Sequence, residues 1–318
     1  MIHLSEDDVR RLLPMRDAIA QVRLAFESLV AGSAINQPRR RLFVPQGSVL
    51  HLMAACCGPY FGAKIYSTNV KKGAAHFHFL LYDSATAEPL ALMEANSLGR
   101  IRTGAASGLA TGLMAPPEVE SVALLGSGFQ AWTQLEAVLA VRNPRQVRVF
   151  SRSEEKRTDF AARAAGAFNV DVRAADSAEQ AVRGADIIIT ATYAKDPVLE
   201  DAWVRPCAHI NAAGSNQAAR RELPAGLVRR AALIAVDSLE QARIEAGDLL
   251  LALPENEWDT LPLVELQALV AAKEFRRPDG ITIFESLGLA VEDVAAAALV
   301  YERATLAPPA EYPRPATR

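Results

Sequence analysis

The sequence predicts an α/β fold in two parts: a front α+β domain with an antiparallel sheet over residues 1–116, and a parallel-sheet domain over 117–289. Three observations carry this. Residues 39–95 are short apolar or alternating runs broken by Gly, Pro, Asn and Asp, the mark of hairpins. Beyond Pro116 and Pro117, near-continuous apolar strands alternate with segments of helical length, the pattern of a parallel sheet covered on both faces. And "SVALLGSGFQAWTQLEAV" (121–138) places a glycine-rich turn between the first such strand and the helix after it.

Taken in order, "LSEDDVRRLLPMRDAIAQVRLAFESLVAG" reads as two short helices, with Ser5 and Asp8 at capping-box spacing and Gly32 as the stop. "RRRLFVP", "VLHLMAACC", "GAKIYST", "HFHFLLYD" and "PLALMEA" are the front strands. "SLGRIRTGAASGLATGLMA" follows, a small-residue helix suited to close packing against another backbone. The parallel strands are "SVALLG", "QVRVFSR", "ADIIITAT", "AHINAAG" and "ALIAVDS"; "ITIFESLG" then leads into a last helix, "VEDVAAAALVYERA". The Pro-rich tail "APPAEYPRPATR" is expected to be loosely ordered, and there is no internal repeat.

At 318 residues the chain has ample material for two cores. A net charge of −3 favours neither nucleic acid nor a membrane surface as partner. No run approaches the length of a membrane span, and the charged N-terminal residues do not read as a signal peptide. Cys56, Cys57 and Cys207 form neither a zinc spacing nor a disulfide framework, so a reduced, cytoplasmic protein is expected.

Gly126, Gly128 and Ala131 form GxGxxA: one glycine for the tight turn, one for close approach of a pyrophosphate, and a small residue for helix–strand packing. Free N–H groups at the helix start would meet the phosphates. A strand precedes the loop, a helix follows, and "VRVF" arrives where the next strand belongs, so the part is read as a Rossmann-type unit. That second strand ends in Ser151, Arg152 and Ser153, with Lys156 and Arg157 a turn later. Hydroxyls and cations stand where NAD enzymes usually carry a carboxylate, which favours NADPH; Glu154 and Glu155 nearby keep NADH open.

In the front domain, strand alternation puts Arg39 and Arg41 on one face and Arg40 with Leu42 and Val44 on the other. A guanidinium on an apolar face needs an anionic partner, so Arg40 is the candidate ligand of an anion, against the reading that all three are solvated. Lys64, among apolar and small neighbours, would either pair with a carboxylate or titrate low. Arg102 lies near a helix start, and three cations from separate elements could converge on a carboxylate. His76 and His78 would share a strand face; no third ligand stands at a convincing spacing, so no metal is expected, and a place beside substrate or cofactor competes with plain packing.

"QPRRR", "GAKIYSTN", "LALMEANSLGRIRTGAASGLATGLMAP", "LLGSGFQA", "HINAAGSNQAARREL" and "FESLGLAVED" together resemble the ornithine cyclodeaminase/μ-crystallin family, from about residue 5 to residue 303. The resemblance implies a Rossmann domain beside a front domain that pairs sheets into a homodimer, joined by a C-terminal helix (290–318) returning to the front. It implies a substrate-carboxylate group on Arg40, Lys64 and Arg102, and cofactor contacts from Arg102, Thr103, Gly126, Gly128, Phe129, Gln130, Ser151, Arg152, Ser153, Thr192 and Ser286. The family's cyclodeaminases carry Asp where this chain has Asn216. Asn can hydrogen-bond but cannot accept a proton at neutral pH, which argues against ornithine cyclisation and leaves hydride transfer intact.

The expectation is an NADPH-dependent reductase, NADH being the other candidate cofactor, of a C=N bond next to a carboxylate. An example is Δ1-pyrroline-2-carboxylate or Δ1-piperideine-2-carboxylate, with Lys64 or a held water as proton source and Asn216 orienting the nitrogen. The alternatives are an NAD-dependent cyclodeaminase or alanine-dehydrogenase-like enzyme, and a binding protein for NADPH and a small ligand like the crystallin.

Overall fold

The computed structural model describes residues 1–306. The Pro-rich stretch 307–318, expected to be loosely ordered and counted with the last helix, lies outside the described residues.

The chain opens with β1 (Ile2–Leu4), α1 (Glu6–Leu12) and α2 (Met15–Val30). Ser5 and Asp8 form the expected reciprocal capping box, and Gly32 follows α2 at φ +69°. Buried Met15, Ala18, Val22, Ala25 and Phe26 recur at helical spacing along α2. Then come β2 (Ala34–Asn36), β3 (Arg40–Phe43), β4 (Val49–Cys57), β5 (Tyr60–Asn69), β6 (Ala74–Asp83) and β7 (Pro89–Glu94). They pair in the order β1-β7-β6-β5-β4-β2, with β3 also on β4. Every pairing is antiparallel except β1 on β7, so the front sheet is mixed at one edge.

Register decides which side chains enter the interior. One inward row crosses the sheet as Met53, Lys64, Phe79 and Met93, all buried; the adjacent inward row is Arg41, His51, Tyr66 and Phe77. Outward rows alternate with them: Arg40, Leu52, Ile65 and His78 between the two, and Leu42, Leu50, Ser67 and His76 beyond the second.

Helix α3 (Asn96–Met114) is almost wholly buried and joins this sheet to the second. Its small residues permit that: a Cβ on Gly104 would collide with the Thr133 carbonyl in the next helix. The second sheet is built from β8 (Ser121–Leu125), α4 (Ala131–Val141), β9 (Gln146–Phe150), α5 (Glu154–Phe168), β10 (Asp171–Ala174), α6 (Ala178–Val182) and β11 (Ile187–Thr190). It continues with β12 (His209–Ala212), α7 (Ala225–Arg229), β13 (Leu233–Val236), α8 (Leu239–Glu245), α9 (Gly247–Leu250), β14 (Leu263–Glu265), α10 (Leu266–Ala271) and β15 (Thr282–Glu285). All eight strands are parallel, in the order β10-β9-β8-β11-β12-β15-β13-β14. The winding reverses between β8 and β11, and a crevice opens there at the strands' carboxyl ends. Last, α11 (Ala290–Leu306) leaves the second sheet and packs on α2, α3, β4 and β5 of the front layer.

Candidate active site

Two cavities adjoin at Tyr193. The larger, about 800 Å³, lies at the ends of β8, β9 and β11, lined by Gly126, Ser127, Gly128, Ser151, Arg152 and Thr192 among others. Its glycines fit a dinucleotide. Gly126 sits at φ +117°, where a Cβ would strike the Ala191 carbonyl, whereas a Cβ on Gly128 would meet nothing and would only take room from the cleft. No side chain caps α4, so its leading N–H groups are free for phosphate. Thr192 is held in place by donating its N–H and Oγ1–H to buried Glu222, at 2.7 and 2.6 Å. Ser151 hydrogen-bonds Ser127 at 2.9 Å, and Arg152 stands exposed on the rim. Two sequence candidates act one step back. Ser153 caps α5, accepting from the Lys156 N–H, and Arg157 lies over the Phe150 ring and donates to the Ser151 carbonyl at 3.2 Å. Both shape the end of β9 and neither lines the cleft.

The smaller cavity, about 340 Å³, is lined by Arg39, His51, Lys64, Tyr66, Phe77, Arg102, Thr103, Phe129, Gln130, Asn216 and Ser286 among others; no carboxylate is among its lining residues. The carboxylates stand behind the cations. Lys64 Nζ lies 2.9 and 2.8 Å from the two oxygens of Asp293; Arg102 donates to Asp293 at 2.9 Å and to Glu292 at 3.1 Å. Arg39 pairs with Glu245 and donates to the carbonyls of Leu287 and Gly288, and Arg41 pairs with Glu245 at 2.6 Å and donates to the Asn216 carbonyl at 2.9 Å.

Charge is distributed unequally over this set. Burial pushes Asp293 upward, but Arg102 and Lys64 flank it and hold it below the usual carboxylate range. One carboxylate shared by two cations leaves the amine the weaker claimant: burial, Arg102 and Arg39 push Lys64 down to about 7 against the pull of Asp293. Burial and Asp237 push Glu292 up to about 8, so it supplies less countercharge than Asp293. Burial, Arg41, Arg39 and Lys64 push His51 down to about 4, so it is an uncharged ring here. That ring stacks on Tyr66 at 4.1 Å, Tyr66 on Phe77 at 4.9 Å, and Phe77 faces Phe129 of the glycine loop at 6.5 Å. The cavity thus has a cationic end and an aromatic wall leading to the dinucleotide cleft.

The ornithine cyclodeaminase/mu-crystallin family model matches residues 1–307. The chain belongs to that family. It is similar to the ketimine reductase mu-crystallin of Mus musculus, 39% identical over 223 residues, covering 70% of this chain and 68% of the relative. It also resembles the structure of Thermococcus litoralis Δ1-pyrroline-2-carboxylate reductase in complex with NADH and L-proline, with a TM-score of 0.90, 33% identity, and 96% and 98% of the two chains covered. An archaeal alanine dehydrogenase dimer with bound NAD superposes with a TM-score of 0.88 at 30% identity, over 95% of each chain.

For this family member, the cavities gather Lys64, Arg102, Thr103, Phe129, Gln130, Asn216 and Ser286 in one, and Gly126, Gly128, Ser151, Arg152 and Thr192 in the other. Three expectations are corrected. Arg40 is exposed on the outward row opposite Leu52, and the anion-facing guanidinium is its neighbour Arg39. Leu42 and Val44, the apolar neighbours that share the face of Arg40, do not mark the core side: Leu42 is 58% exposed and Val44 only half-buried. His76 and His78 are exposed on the outward rows as well, while Phe77 between them faces the crevice. Residues that sequence reasoning missed are Arg39, His51, Glu245, Glu292 and Asp293. For the last two a signal existed: adjacent carboxylates in the otherwise apolar "LAVEDVAAAALV" require cations to be buried against them.

Proposed function

We propose that the protein is an NAD(P)H-dependent reductase of a C=N bond adjacent to a carboxylate, acting on a small cyclic ketimine such as Δ1-pyrroline-2-carboxylate. The observation that carries this reading is a cavity with Arg39, Lys64 and Arg102 at one end, no acidic lining residue, and the glycine loop at its mouth. Arg39 and Arg102 are buried and anchored from behind by carboxylates, so they are pre-aimed to clamp the substrate carboxylate. Bound nicotinamide supplies the hydride. Lys64, in its ammonium form, hands its proton to the imine nitrogen and is left as a neutral amine, the form its burial favours. Asn216, fixed through its carbonyl by Arg41, presents its side chain to that nitrogen. A diamine tail would find no carboxylate in the lining, which disfavours cyclodeamination. The names of the relatives point the same way: a ketimine reductase, and a pyrroline-carboxylate reductase holding L-proline. Stopped-flow or steady-state NADPH oxidation with Δ1-pyrroline-2-carboxylate and Δ1-piperideine-2-carboxylate tests the reading. No oxidation with either, and ammonia release from ornithine instead, would replace it.

The finer points belong to the same proposal. NADPH is preferred, because Arg152 rims the cleft and no carboxylate lines it from the end of β9. Residues 1–116 with the last helix form the substrate and dimerisation domain, and 117–289 the dinucleotide domain. Homodimerisation uses the outward face of the front sheet, where Leu42 and Leu52 stand 58% and 43% exposed. A dimeric relative and those exposed apolar side chains support this. Residence in a reducing cytoplasm is favoured by three unpaired cysteines.

A further inference from the structure

A third cavity, about 230 Å³, lies on the other side of α3 from the substrate crevice, bounded by α1, α2 and α4. Its floor is apolar: Leu13, Pro14, Met15, Ile101 and Trp132. Its rim carries two guanidiniums, Arg10 and Arg100, and one carboxyl, Glu136. Arg10 is tied to Ser97 at 2.9 Å and to Asp7. Arg100 makes no ion pair among the described residues, and its Nε is buried without an acceptor. Its head lies 4.8 Å over the ring of Phe129. Glu136 is equally unpaired, and burial pushes its carboxyl up against the opposing pull of Arg100. An unpaired cation, an unpaired carboxyl and an apolar floor in a space of this size match a zwitterion with a hydrocarbon side chain.

We propose that this cavity is a second small-molecule site, taking a free apolar α-amino acid. The ligand's carboxylate meets Arg100 and Arg10, its ammonium meets Glu136, and its side chain lies on Trp132 and Met15. Occupancy draws the guanidinium of Arg100, two positions before Arg102 on α3, toward the ligand and off Phe129, which lines the substrate crevice. The site therefore reports an amino-acid level to the catalytic centre. That regulatory half rests on the reductase reading, in which the product is itself an amino acid; the binding half does not.

The test is calorimetric titration of the full chain with L-leucine, and with isoamylamine and 4-methylpentanoate as the two half-ligands. Wild type and Lys64→Met are expected to bind leucine alike. Glu136→Gln and Arg100→Gln should each weaken it by about tenfold or more, the loss of one charge-assisted contact, and so should either half-ligand. Leucine binding lost in Lys64→Met and kept in Glu136→Gln would overturn the proposal by placing the ligand in the crevice; so would equal binding of a half-ligand, or none at millimolar concentration. The half-ligands need no variant, so a misfolded mutant does not blunt the test. Saturating leucine should shift KM or kcat for the ketimine in wild type and not in Glu136→Gln; no shift would overturn the regulatory half. Absence of any ketimine turnover, with the binding pattern intact, would instead overturn the assigned reaction and leave this site standing.

Discussion

On the inner face of the front sheet a cross-strand row runs Arg41, His51, Tyr66, Phe77; one residue along each strand, on the outer face, runs Arg40, Leu52, Ile65, His78. Both rows carry an arginine, a histidine and bulky apolar groups. The inner arginine is anchored to a buried carboxylate and a backbone carbonyl, and the inner histidine is stripped of charge by burial among cations. The outer pair is exposed in the protomer. Residue type is therefore a poor guide to role in this sheet; the phase of the strand decides it, because a side chain acquires unusual chemistry only where water is replaced by fixed charges.

Substitutions that separate the two faces sharpen this. Lys64→Met should give the largest effect, lowering kcat for imine reduction by roughly 10²–10⁴-fold, the scale of a lost general acid. The variant should stay folded, because Arg102 still neutralises Asp293; circular dichroism and steady-state kinetics check both halves. Arg39→Met should destabilise the protein by about 3 kcal/mol, since of its two cations Glu245 keeps only Arg41, and should raise KM steeply; denaturant titration reads the first effect.

The pH profile is a subtler probe. The ammonium form of Lys64 is the donor, and it loses its proton as pH rises through about 7. kcat/KM should be highest below that value and fall above it, and His51 should add no limb near neutrality because it titrates at about 4. A flat profile through pH 7 to 9 would remove Lys64 as proton source. At the bottom of the scale, Arg40→Ser should change kcat/KM by less than about twofold and the protomer's own stability by about 0.5 kcal/mol or less. If Arg40→Ser proved as damaging as Arg39→Met, the assignment of faces would be wrong.

The dinucleotide cleft was readable because its recognition is built into backbone: Gly126 and Gly128 announce a conformation and a clearance that no other residue supplies. The strand–helix alternation was equally plain, although the insertion of β15 between β12 and β13 left no local mark. Lys64 and Arg102 stood out because each interrupts an apolar or small-residue context. The front strand of three consecutive arginines defeated the same reasoning. Alternation correctly groups Arg39 with Arg41 and Arg40 with Leu42 and Val44, but the second of those faces is the outward one, where Leu42 is exposed and Val44 only half-buried in the protomer. The carboxylates Glu292 and Asp293 in their apolar helix call for buried cations, but local pattern does not say which, because Lys64 and Arg102 lie 229 and 191 residues from Asp293.

The countercharge for Lys64 and Arg102 is carried on α11, 229 and 191 residues downstream. During synthesis those two cations emerge from the ribosome long before the segment that neutralises them, and a front layer closed without it would trap them bare. The nascent chain therefore cannot finish its catalytic centre early and add the dinucleotide half afterwards: the front layer must wait for a helix made after the last strand of the second sheet. An enzyme wired this way ties competence to near-complete translation, and a product cut short before Asp293 is inert rather than half-active.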